Sequence, residues 1–488
     1  MDARTGRQPT RWLEQNLYKR DRFNSVSEYA AGLVREFDPG ARVGIDIACV
    51  PLDSYDIPRM TKVIDAFIQS DLEHFDKEKD KSRVSAGWWF GFYERCTTEW
   101  HMRTKPWESL FRGGNALGWW HNKATFTPDL SEPLLCFKQA SEEIHEIHSG
   151  FDRLLMSSDK RLDPILVLWS NNSRVASVYN PLETTWDGAI ANFISMLRRT
   201  GIDYQCVGAD FIADKLQFGD KQRVLILPAS QSVSRKNVEK IKAFASAGGL
   251  VVADYMPAVM DEYLRPYGQD TKSLKSAVKF ETCPKCKGKK IMHLGGAGDP
   301  LGPCPVCGGN GKVVKGESQA MKSALDEMFN FTQKGVKKYG HGHGLFLAGS
   351  PLKDEWRAIR NTLIKHGGIT GNIEVLDILG NTRTDLKTFV FDNGPAMFVG
   401  VLPDSTVAAP PGEEFILKTD KAMHIYNARM QSYLGFSDSV TAGVLPAQAK
   451  LFALLPARIQ GLALESPKTD YDPGEIVTLD IKTLPDTL

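Results

Sequence analysis

Glu94 closes the densest aromatic run of the chain, Trp88-Trp89-Phe90-Gly91-Phe92-Tyr93-Glu94-Arg95, and six of the ten tryptophans fall between Trp88 and Trp120. Aromatic side chains bury much area at little entropic cost, and their polar tips need partners. Several of them beside one carboxylate suit a ligand with both apolar C–H faces and hydroxyls, which describes a sugar. Glu94 is the acid of this candidate sugar pocket, and Arg95 beside it would hold it ionised through a nearby positive charge. A second run follows, Gly113-Gly114-Asn115-Ala116-Leu117-Gly118-Trp119-Trp120-His121-Asn122. Trp88, Trp119 and Trp120 are candidate sugar platforms, and Asn115 and His121 candidate partners for hydroxyls. The competing reading is a tryptophan-rich core with a surface glutamate just past a strand end.

A second constellation carries metal chemistry. Cys283-Pro284-Lys285-Cys286 and Cys304-Pro305-Val306-Cys307 are separated by 17 residues, a spacing that fits a four-thiolate zinc ribbon. Each pair makes one knuckle, and Gly288, Gly308, Gly309 and Gly311 permit the tight turns around it. Four sulfurs fill a tetrahedral sphere and leave no position for water, so the expected Zn²⁺ is structural. The Cys-x-x-Cys-x-Gly pattern resembles the zinc ribbons of the DnaJ co-chaperones, with two knuckles and no J-domain signature. The resemblance implies a small staple or docking surface.

Other clusters carry less. The turn after the strand Val224–Leu227 reads Pro228-Ala229-Ser230-Gln231-Ser232, without the Cys that a class I glutamine amidotransferase places on its elbow, and Cys206 falls inside a predicted strand. A thiol nucleophile needs an exposed, activated position, so that activity is not expected. No Gly-x-Gly-x-x-Gly follows the first strand of this region. His341-Gly342-His343 reads as a glycine-rich loop, and His145 and His148 as one solvated helix face with Glu142 nearby.

Sixty Lys and Arg against 59 Asp and Glu leave a net charge of +1, which provides no basic field for nucleic acid or an anionic membrane. No apolar run approaches a membrane span of ~20 residues, and the first residues lack a secretory h-region, so a cytoplasmic location is expected. Cys49, Cys96, Cys136 and Cys206 are scattered singly and read as buried thiols.

The elements that must position these residues alternate. Helical periodicity over 24–37 is followed by strands at Arg42–Val50, Ala66–Ile68, Ser85–Tyr93 and Ala116–Trp120. A Pro106-led helix lies between the last two, and an amphipathic helix runs from Glu142 to Met156. Such alternation implies a parallel sheet or (β/α) barrel. A second unit opens with Ile165–Trp169 and continues through Tyr204–Val207, Val224–Leu227, Leu250–Ala253 and Gly344–Leu347. Its helices lie around Ile190–Arg199, Val238–Ala245 and Asp354–Lys365, a doubly wound pattern. Beyond about residue 370 short alternating strands such as Thr388–Phe391 and Met397–Val401 predict an all-β tail. The expected class is α/β multidomain: a partial barrel over 1–158, a flavodoxin- or amidotransferase-like domain over 159–370 with a zinc-ribbon insertion at 280–316, a small β domain over 371–460, and an incomplete β-sandwich over 461–488.

Tyr93-Glu94 at a strand end, then Thr104-Lys105-Pro106-Trp107-Glu108-Ser109-Leu110, then the glycine- and tryptophan-bearing segment to Trp120, together resemble the last two strands of a glycoside hydrolase family 42-type β-galactosidase barrel. The resemblance implies that Glu94 is the catalytic nucleophile of a retaining hydrolase of O-glycosyl bonds. Ile165–Asp254 is similar to the family's middle domain, an amidotransferase-like fold without its catalytic Cys that assembles trimers. Ala449–Ala457 fits its small C-terminal domain. A carbohydrate substrate and a homo-oligomer, a trimer by resemblance, are therefore the expected partners.

Retaining glycosidases need two carboxylates about 5–5.5 Å apart. Counting strands back from Glu94 places the family's acid/base glutamate before the first residue, so a fragment or divergent member with weak or no turnover is expected. Pro473–Ile481 likewise reads as the first strand of a further sandwich. The alternative is a non-catalytic carbohydrate-binding or oligomeric assembly protein with a structural zinc ribbon. A zinc-ribbon chaperone module is a third reading.

Overall fold

Strands built of unbroken apolar residues need cover on both faces, and the chain supplies it with helices drawn from both sides of each strand run. The structure is a computed structural model. It describes residues 9–46, 57–60, 66–68, 84–88, 99–118, 126–267, 279–282, 291–293, 301–303, 312–315, 322–403, 413–443, 448–470 and 480–485, apart from single positions inside some ranges, together with Val63 and Lys287. In chain order the principal helices are α1 (Pro9–Phe37), α2 (Glu99–Phe111), α3 (Leu135–Glu146), α4 (Asn171–Tyr179), α5 (Trp186–Arg199), α6 (Arg235–Ser246) and α7 (Trp356–Gly367). The described residues divide into two units.

The first unit holds residues 1–97, 112–134 and 162–371. Its N-terminal part carries β1 (Gly44–Asp46), β2 (Ala66–Ile68), β3 (Val84–Trp88) and β4 (Ala116–Gly118), all parallel and paired in chain order. Sequential parallel pairing is how a (β/α) barrel winds. The four expected strands are present: β2 matches its expected range, and β1, β3 and β4 are described over part of theirs. The helix read from residue 24 begins at Pro9. The periodicity before residue 24 is weak because charged residues interrupt it, whereas Leu13 and Asn24 are fully buried.

The next strand, β5 (Asp159–Lys160), belongs to the second unit; the first continues with β6 (Ile165–Trp169), β7 (Gln205–Gly208), β8 (Val224–Leu227) and β9 (Leu250–Ala253). Two small ladders lie between β9 and the end of this sheet. They are formed by β10 (Lys279–Thr282), β11 (Ile291–His293), β12 (Leu301–Pro303) and β13 (Lys312–Lys315). The main sheet is completed by β14 (Gly335–Tyr339) and β15 (Gly342–Phe346), in the order β14-β15-β9-β8-β6-β7, with only β14 antiparallel. The parallel strands run second-first-third-fourth-fifth, a flavodoxin-like winding. Alternation along each strand feeds two cores. Ile165, Val167, Val224, Ile226, Leu250 and Val252 pack with residues of α5 and α7 on one face. Leu166, Leu168, Leu225, Leu227 and Val251 pack with α6 and with Leu325, Met328 and Phe329 on the other.

The second unit joins residues 98–111 and 135–161 to 372–488. Its sheet runs β16 (Ile373–Leu376), β19 (Glu414–Asn427), β21 (Lys450–Leu455), β18 (Ala396–Pro403), β17 (Leu386–Asn393) and β5, with β20 (Ser432–Gly443) paired to β19. A separate antiparallel pair, β22 (Ile459–Glu465) and β23 (Asp480–Pro485), ends the chain. Residues 98–111 and 135–161, expected within one unit spanning 1–158, thus group with the C-terminal sheet. Trp107, Leu110 and Phe111 of α2, with Ile147 and Leu155, bury themselves against Phe389, Phe391, Phe398 and Leu451 of the β sheet. Pro106 also lies inside α2 and does not lead it. The helix after α3 is continuous only through an irregular turn at Ile147–Phe151, where Gly150 has φ +142°.

Candidate functional site

β3 and β4 are parallel neighbours in which Trp88 is level with Gly118. Each is the last described residue of its strand, so both strands finish at one sheet edge. In barrels built this way the loops leaving that edge carry the chemistry. Glu94 and Arg95 follow β3 in sequence, and Trp119, Trp120 and His121 follow β4. All five lie outside the described residues, and of Trp88 only the backbone is described. Asn115 also lies outside them. It precedes β4 where Trp119 follows it, and three residues of strand span about 10 Å.

Cys283, Cys286, Cys304 and Cys307 lie outside the described residues as well. The strands that bracket them do not. Thr282, just before the first knuckle, pairs with Lys312 beyond the second. Ile291, beyond the first, pairs with Pro303, just before the second. Among the described residues no group of three or more His, Cys, Asp or Glu could hold a metal ion.

The doubly wound sheet has its own C-terminal edge, the usual ligand position of such folds. A cavity of about 200 Å³ opens there, lined by Arg20, Trp169, Ser170, Gly208, Ser232 and Lys236 among others. Several of its polar groups serve the fold. Ser170 caps α4 by accepting from the Ser173 amide, Ser232 Oγ donates to Asp261 O, and Asn237 Nδ2 donates to Ala209 O. Beside it, Ala229 turns the chain after β8 with φ +40°, in the left-handed region that non-glycine residues rarely adopt. Its amide donates to Oδ1 of the fully buried Asp254 at 2.7 Å. Burial pushes the Asp254 carboxyl up to about 7, partly offset by the Ala229 and Tyr255 amides. The turn after β8 is thus strained at a residue whose side chain is only a methyl group. Cys206 is buried in β7, and burial drives its thiol far above the usual range.

In the second unit the carboxylates that sequence reasoning passed over are structural. Glu143, which the sequence reading did not single out, is buried. It accepts from the Trp107 indole at 2.8 Å, from Arg103 at 2.9 Å and from Arg429 at 2.8 Å. Glu108 is held between Lys105 and Lys387, each at 2.9 Å. Glu142 is exposed and pairs with Arg103, and His148 pairs with Asp152 at 2.8 Å. The helix face carrying Glu143 turns inward because Arg429 stacks over Trp107 at 4.5 Å and needs a counter-ion.

No helix among the described residues is long and apolar enough to cross a membrane. No family model matches the chain, and no curated protein matches it in sequence. Solved structures do match. A β-galactosidase from Bacillus circulans sp. alkalophilus superposes with a TM-score of 0.58 at 12% identity, over 91% of this chain and 68% of that one. A catalytic mutant of a GH42 β-galactosidase from G. stearothermophilus gives 0.57 at 11% identity over the same shares. The GH42 exo-carrageenase of Bacteroides ovatus gives 0.56 at 10% identity, over 91% of this chain and 56% of that one. At these identities the likeness is one of fold: the α/β chain described here is similar in architecture to GH42 glycoside hydrolases.

Proposed function

We propose that this protein is a β-galactosidase-like retaining glycoside hydrolase in which Glu94 is the nucleophile. One observation carries the reading: the segments bearing Glu94 and Trp119–His121 follow adjacent parallel strands, β3 and β4, that end level with each other. The fold likeness to GH42 enzymes over nine-tenths of the chain supports it. Glu94 attacks the anomeric carbon, Arg95 keeps it ionised, and the tryptophans offer apolar faces to the sugar ring. A second carboxylate would protonate the leaving oxygen, and none is assigned here. The test therefore uses a galactoside whose leaving group departs without an acid, a 2-fluoro-galactoside of dinitrophenol. The expected result is a covalent adduct on the peptide holding Glu94, absent in Glu94→Gln. Galactoside affinity without any adduct would make the protein a non-catalytic carbohydrate binder. The sequence resemblance of Ile165–Asp254 further proposes the doubly wound domain as a trimerisation domain, which light scattering checks.

Independently, Cys283, Cys286, Cys304 and Cys307 form a structural Zn²⁺ site. Strand register supports this, because the β10–β13 ladder flanks both knuckles on one side and the β11–β12 ladder flanks them on the other. Two-stranded ladders are marginal alone in water, and a tetrahedral thiolate site would contribute the missing stability. The segment leaves and re-enters at one loop. The Tyr267 amide donates to Val259 O, the Ala324 amide to Ala258 O, and Ser323 Oγ to Pro257 O. Protein purified without chelator should carry one zinc per chain, and a metal-free preparation would end this reading.

A further inference from the structure

The sequence pairs His343 with His341 across one glycine, but the fold pairs it with His366. His343 lies in β15, His366 in the last turn of α7, and their ring centres are 4.6 Å apart with the planes inclined at 67°. His343 Nδ1 is buried and has no hydrogen-bond partner among the described residues. A buried ring nitrogen left unpaired costs free energy unless something occupies it. The surroundings favour a cation at one point. His366 stands at the negative end of the α7 dipole, where Gly368 closes the helix with φ +63°. The exposed Lys338 across the ladder and Lys365 beside His366 oppose it.

The ring separation discriminates between metals. An imidazole bound at roughly 2.0–2.1 Å places its ring centre about 3.2 Å from the metal. Two such rings stand about 4.5 Å apart at a cis angle of about 90°, and about 5.2 Å apart at a tetrahedral one. The observed separation matches the first. We propose that His343 and His366 form a two-histidine site for a tetragonal divalent metal, Ni²⁺ or Cu²⁺, with the remaining positions left to water. This site is distinct from the cysteine tetrad and independent of the glycosidase reading. Binding would tie α7 to β15, on the face where Leu345, Ile359 and Leu363 share one core.

Calorimetric titration of untagged full-length chain with Ni²⁺ tests this, with His343→Ala, His366→Ala and the exposed neighbour His341→Ala in parallel. All four proteins retain the same cysteines, so a difference between them isolates the histidine pair. Wild type and His341→Ala should show the same site. It should weaken at least tenfold in either of the other variants, and Ni²⁺ should raise the melting temperature only where both rings are present. His366→Gln guards against misfolding: its metal-free melting temperature should stay near that of wild type while its Ni²⁺ response disappears. Equal Ni²⁺ binding in all variants would overturn the proposal, as would loss in His341→Ala. In either case the rings are only packed against each other.

Discussion

The indole N–H of Trp107 donates to Glu143 Oε2 at 2.8 Å, joining α2 to α3 beneath the guanidinium of Arg429. Glu143 is thereby the acceptor for one indole and two arginines in a buried position.

Removing that acceptor should cost far more than removing one donor. Glu143→Ala leaves Arg103 and Arg429 without this buried counter-charge and should lose about 3–5 kcal/mol, the range for breaking a buried pair. Trp107→Phe keeps most of the packing and should lose about 1–3 kcal/mol through the unmade hydrogen bond. Urea denaturation of both variants checks the order, and a Glu143→Ala loss smaller than that of Trp107→Phe would refute it.

The junction of α2 with the β sheet can be probed from the sheet side. A methyl group on Gly400 would come within 2.8 Å of the Phe111 ring. Gly400→Ala should therefore destabilise the second unit by roughly 1–3 kcal/mol, the usual cost of overpacking. Phe111→Leu on that background should restore part of the loss. Equal stability of Gly400→Ala and wild type would show that the helix does not rest there.

Gly342 offers a harder clash. A Cβ there would lie 2.2 Å from Gly249 O and 2.4 Å from Ala245 O, both backbone atoms that cannot rotate away. Gly342→Ala is expected to unfold or strongly weaken the doubly wound domain, read as lost amide-exchange protection in β15 and β9. Protection unchanged from wild type would contradict the close approach.

Asp254 makes stability depend on pH. Its folded-state carboxyl lies near 7 because of burial, against an unfolded value of 3.8. A raised value means that the folded state holds its proton longer. This contribution is complete below about pH 4 and is lost as pH rises towards 7, at about 1.4 kcal/mol per pH unit inside that window. Asp254→Asn keeps an oxygen to accept from the Ala229 and Tyr255 amides and removes the titration. The stability difference between variant and wild type should therefore change steeply between pH 4 and 7 and level off above. A difference that stays flat across that range would show that Asp254 does not titrate there.

How far the sequence reaches is visible residue by residue. Val224–Leu227 and Leu250–Ala253 coincide with their strands because four buried apolar residues in a row, closed by turn residues, have few other uses. The all-β tail was legible from its alternation. The candidate sugar site and the cysteine tetrad rest on residue type and spacing alone, since the residues that carry them lie outside the described ones. Glu143 was not legible, because Glu142 and Glu143 are one residue apart and only packing decides which of them faces inward.

By itself the sequence determined the local elements and the alternation that makes the middle of the chain α/β, because these depend on neighbours a few residues away. Only the tertiary structure decided that α2 and α3 belong with the C-terminal sheet, that Ala229 leans on a buried Asp254, and that His343 meets His366 rather than His341. Those pairings join residues from 23 to nearly 290 positions apart. They are selected by which apolar faces and which buried charges can satisfy one another, and no local pattern carries that information.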